Sequence, residues 1–100
     1  MNLRLLATSA IVLTVAAPAF AQISGFTDES DGYSWRRASL ENRTAYCRAV
    51  VAKFAEKGSR VSAQTLFDAI QEFYTSEDPG ILKRKLFDVT AILAYAASDK

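Results

Sequence analysis

Apolar positions recur at helical spacing in three stretches of this chain. The most regular runs from Ala63 to Tyr74. There Ala63, Leu66, Phe67, Ile70, Phe73 and Tyr74 share one face, and Asp68, Gln71 and Glu72 lie opposite. Ser62 is placed to cap this helix, and Val61 before the cap can pack on Leu66 as a hydrophobic staple. An earlier stretch predicts a helix from about Ser39 to Lys57. Ser39 caps it, Glu41 complements the dipole in its first turn and Gly58 ends it, although a start one turn earlier, capped by Ser34, also fits. Its stripe is Leu40, Cys47, Val50, Val51 and Phe54, with Asn42, Ala45, Ala49 and Ala52 on the other side. The third stretch opens at Asp78 and Pro79, a cap followed by proline at the first helical position, and runs to about Ala97. Leu82, Leu86, Val89, Leu93 and Ala96 form its stripe, and Lys83, Arg84 and Lys85 point to solvent. From Val89 to Ala97 it is apolar nearly all round, Ile92 and Tyr95 included, as befits a helix that is central in its fold or covered by another chain.

Short connections make sequential helices pack antiparallel. The fold expected is therefore all-α, a small three-helix bundle-like array in a single domain over residues 39–100.

The residues before it divide in two. Residues 1–21 have the order of a secretory signal peptide: Arg4, an apolar run from Leu5 to Ala17, Pro18, then Ala19-Phe20-Ala21 as a cleavage site that leaves Gln22 first. The apolar run is shorter than the ~20 residues a spanning helix needs, and no cysteine follows to carry a lipid. This predicts export to a bacterial periplasm or beyond, with no membrane attachment after cleavage. Residues 22–38 then read as an acidic, largely flexible N-terminal arm. Asp28-Glu29-Ser30-Asp31-Gly32 resembles the start of a calcium loop, but Gly32 stands where an oxygen ligand is needed, and Ser39 where the bidentate Glu belongs.

Removing Arg4 from the 12 basic residues leaves them balanced by 11 acidic ones, so no overall field gathers nucleic acid. The basic residues between 36 and 60 spread around their helix and form no stripe. The chain has no histidine, the commonest general base and metal ligand, no phosphate-binding glycine loop and no CxxC. Only Cys47, Tyr46 and the carboxylates carry reactive groups, at no diagnostic spacing, and these observations predict neither an enzyme nor a metal or cofactor site. A domain of this size buries only about 60% of its unfolded surface, and one cysteine closes no internal disulfide, which favours self-association.

The interaction or thiol-site candidates are Trp35, Arg43, Cys47, Ile92 and Tyr95. Cys47 reads as a buried small hydrophobe, with an intermolecular disulfide or a reactive thiol as alternatives. Arg43 falls in line with an apolar stripe, where it either snorkels out at the edge or finds a salt bridge. Trp35 stands with Tyr33, Arg36 and Arg37, a composition that suits a binding hot spot, though better a plug folded over the core. The string RTAYCRAVVAKF followed by VSAQTLFDAIQEFY matches no functional motif. The plan of a leader followed by a short helical domain is similar to that of periplasmic acid-stress chaperones and small immunity proteins. Those families rely on a pair of cysteines, whereas this chain has Cys47 alone and is assigned to neither. The function expected is a non-enzymatic protein-binding or self-associating module. The alternative is a stress-response chaperone or inhibitor that exposes apolar helix faces when Asp68, Glu72, Glu77, Asp78 and Asp88 protonate.

Overall fold

The computed structural model describes residues 22–98, and the leader expected over residues 1–21 lies outside the described residues. The chain enters through a hairpin of β1 (Gln22–Ile23) and β2 (Phe26–Thr27), with Ile23 opposite Phe26 and Gln22 opposite Thr27. Ser24 and Gly25 both take positive φ, 51° and 89°, as a type I′ turn requires of its two central residues. A short helix, α1 (Gly32–Arg37), follows. Asp31 caps it in a reciprocal box: the Ser34 N–H donates to Oδ1 of Asp31, and the Asp31 N–H donates to Oγ of Ser34, each at 3.1 Å. Segment 22–38, expected to be a flexible arm, is thus built into the fold, and its Phe26 and Trp35 are core residues. Packing of those two rings outweighs the polar, acidic composition around them.

Ser39 leaves α1 in extended conformation and caps α2 (Leu40–Ala55), its Oγ accepting from the Asn42 N–H at 3.0 Å. The turn after α2 closes at Gly58, whose φ of 92° lets the Ser59 N–H reach back to the Phe54 carbonyl. Then comes α3 (Ala63–Phe73), capped by Ser62, with Val61, Leu66, Ile70 and Tyr74 buried along one side.

The long third helix expected from Pro79 is broken. Asp78 caps a single turn, α4 (Pro79–Leu82), and a separate helix, α5, spans Leu86–Ser98. Tertiary bonds fix the break. The Leu86 N–H donates to the Ser30 carbonyl at 2.9 Å, Asp31 bridges Lys85, and the Tyr74 hydroxyl donates to the Arg84 carbonyl at 2.8 Å. A continuous helix would use the Leu86 N–H within itself.

The described residues are therefore mostly helical, with a small two-stranded sheet, and α3 packs against both α2 and α5. The inward face of α5 follows Leu86, Val89, Thr90, Leu93 and Ala94, so Ala96 of the expected stripe is exposed and Thr90 is buried instead. Leu40, expected in the α2 stripe, is also exposed, in the first turn of that helix. Among the described residues, no helix is long and apolar enough to cross a membrane.

Candidate functional site

The five candidate residues separate into a buried cluster, a buried thiol and an exposed helix face. Trp35 is 1% exposed and lies among Phe26, Tyr46 and Phe67, ring centroids 5.9, 6.3 and 5.6 Å away. Its Nε1 donates to Oε1 of Gln71 at 2.9 Å. That same oxygen accepts from Nη1 of Arg43 at 3.0 Å, and two converging donors fix which end of the amide is which. The Arg43 guanidinium carbon stands 5.7 Å from the centre of the Trp35 ring. Half-buried Arg43 is thus held by an amide and an aromatic face, with its Nε buried and unbonded. Among the described residues its partners are this amide and this ring rather than a carboxylate.

Arg36, beside Trp35, caps the end of α3. Its Nε and Nη2 donate to the Tyr74 carbonyl at 3.0 and 2.7 Å, and Nη2 also reaches the Ser76 carbonyl at 2.9 Å and Glu77 at 3.7 Å. The acidic segment 28–31 is likewise structural: Asp31 caps α1, and Oε1 of Glu29 accepts from Nζ of Lys85 at 2.9 Å.

Cys47 is buried, and desolvation pushes its thiol up to about 12 from an ordinary 9.0. At neutral pH the thiol is protonated and a poor nucleophile. Because the unfolded thiol ionises near 9 while the folded one does not, the shift stabilises the fold fully below pH 9, and that contribution is lost as pH rises towards 12. Alkylation at pH 8 should therefore leave Cys47 untouched in native protein and label it fully in denaturant, read by intact mass. Labelling at equal rates in both states would contradict the burial. Tyr46, next to Cys47, is equally inaccessible: its hydroxyl and Oγ1 of Thr90 lie 2.8 Å apart, and desolvation raises its pKa.

Ile92 and Tyr95 lie in the open, 62% and 73% exposed, three residues apart on the outer face of α5. Tyr95 and Ala91 form one wall of an open cleft of about 470 Å³. Phe54 and the turn from Lys57 to Ser59 form the other wall. A second cleft, about 460 Å³, lies between α2 and α3, with exposed Leu40 at its mouth and Cys47 and Phe67 along it. Asp68, Glu72, Glu77, Asp78 and Asp88 are all exposed.

Residues that composition did not single out include Gln71, which organises Trp35 and Arg43, and Thr90, the polar partner of Tyr46. Gln71 carries no signal of this role, because the pattern groups it with Asp68 and Glu72 opposite the apolar face. Comparison with protein-family models, with curated proteins and with solved structures finds no match to this chain.

Proposed function

We propose that this chain is a non-enzymatic binding module, exported to a bacterial periplasm or beyond and cut after Ala21, whose three longer helices act as a bundle-like support for the outer face of α5. That face associates with a second copy of the chain or with another protein. The observation that carries the reading is the pair Ile92 and Tyr95, exposed together at helical spacing, with Tyr95 on the wall of an open cleft. Single exposed apolar side chains are ordinary on a protein surface, whereas two on one helix face beside a concavity form a patch with something to bury. Further support comes from the groups that chemistry would need, since the Cys47 thiol is protonated and buried and Tyr46 is bonded in the interior.

Full burial of one large apolar side chain contributes about 1.5–3 kcal/mol, which is roughly a ten- to hundred-fold change in a dissociation constant. Ile92→Glu should accordingly weaken association at least ten-fold, measured by sedimentation velocity across a concentration series, while thermal melting stays near wild type. A wild-type chain that remains monomeric at millimolar concentration would remove self-association. A variant that associates like wild type would remove the α5 face from the reading.

A further inference from the structure

The hairpin places one backbone nitrogen in an unusual position. In a two-residue I′ hairpin the pair flanking the turn, here Ile23 and Phe26, exchanges the ladder hydrogen bonds, and the next pair outward does not. Gln22 and Thr27 are that next pair. Thr27 directs both of its backbone groups elsewhere: its N–H donates to Oγ of Ser30 at 2.9 Å, and its carbonyl accepts from the Ser30 N–H at 3.0 Å. The Gln22 nitrogen is thus left outside the ladder, and its side chain is exposed.

We infer that the mature chain blocks its own amino terminus by closing Gln22 to pyroglutamate. The inference rests on the leader reading above, because only cleavage after Ala21 turns the Gln22 nitrogen into an α-amine. That neutral amine attacks Cδ of its own carboxamide. The new C–N bond closes a lactam, the old C–N bond breaks, and the carboxamide nitrogen takes the proton lost by the amine and leaves as ammonia. No electrons are transferred and no co-reactant is consumed. An α-amino group with a pKa near about 8 leaves on the order of a tenth of the chains neutral and reactive at pH 7. The structure removes two obstacles. An amine bonded across a hairpin would have to give up that bond to attack, whereas here Thr27 is committed to Ser30. The lactam ring contains only the nitrogen, Cα, Cβ, Cγ and Cδ of Gln22. The torsion that leads into Ile23 lies outside it, and the hairpin closes around the modified residue unchanged. The product has lost a positive charge and is closed to aminopeptidases.

The test is to express the whole chain with its leader in an exporting bacterium. The exported protein is held at neutral pH, then weighed intact and sequenced from its amino terminus. The expected result is a mass equal to residues 22–100 less one ammonia, with sequencing blocked until pyroglutamyl aminopeptidase treats the denatured chain. Gln22→Ala should give the full mass and a readable terminus. A wild-type chain that starts at Gln22 with its full mass and a readable terminus would overturn this inference alone. An uncut chain, or one cut elsewhere, would overturn it together with the leader reading.

Discussion

Replacing Trp35 with alanine is expected to lower the unfolding free energy by about 3–5 kcal/mol, the range for truncating a large buried aromatic side chain. A small domain has only about 5–15 kcal/mol in total, so the variant should be close to its threshold at 37 °C. The loss has several sources. A cavity opens among Phe26, Tyr46 and Phe67, the Gln71 amide keeps only one of its two donors, and Arg43 loses the ring beneath it. Trp35→Phe keeps most of the apolar contact and removes the donor, and should cost about 1–2 kcal/mol. Urea denaturation followed by far-ultraviolet circular dichroism measures both. A loss below about 1 kcal/mol for Trp35→Ala would mean that the segment before α2 does not seal the core.

Gly32→Ala should also be strongly destabilising, against the usual direction of such a change in a helix. Alanine normally gains about 1 kcal/mol over glycine there. At Gly32 the added Cβ would lie 2.5 and 2.7 Å from Cδ1 and Cε1 of Tyr74 and 2.9 Å from the Leu82 carbonyl oxygen. Tyr74 cannot step aside, because it is 1% exposed and its hydroxyl is bonded to the Arg84 carbonyl. Forcing a methyl group into that contact costs about 1–3 kcal/mol and separates α1 from α4. Gly80→Ala is the matched control, since its nearest neighbour is the Asp78 carboxylate at 3.4 Å. Its thermal midpoint should stay near wild type, while that of Gly32→Ala falls by several degrees. Equal midpoints for the two variants would contradict the close packing at Gly32.

What could be read from the sequence was whatever depends on neighbours along the chain. Ser39, Ser62 and Asp78 cap helices because a side-chain oxygen next to free N–H groups needs no tertiary partner. The face of α3 shows for the same reason, since one helix repeating its pattern over three turns reveals which side is buried. The hairpin does not show, because strands of two residues have no period, and Ser24-Gly25 is the sole local hint of a turn. The break after Leu82 is also invisible, because Lys83-Arg84-Lys85 suits a helix well and a bond from Leu86 to distant Ser30 decides otherwise. At the candidate site, Arg43 stands out in sequence as a charge within an apolar stripe. Its answer lies on α3 in Gln71, a residue that reads locally as solvent-facing. The exposure of Ile92 and Tyr95 follows from an apolar excess on α5 greater than α2 and α3 together cover.

The bonds that tie residues 29–36 to residues 71–86 also bear on when the amino-terminal segment can be packed. They join positions 36 to 56 apart in the sequence. Synthesis runs from the amino terminus at roughly 5–20 residues per second, so Phe26 and Trp35 leave the ribosome some seconds before the surfaces that will cover them exist. Residues 29–36 gain these bonds only from residues 71–86. Until residues 71–86 have been made, Phe26 and Trp35 are the part a chaperone can hold.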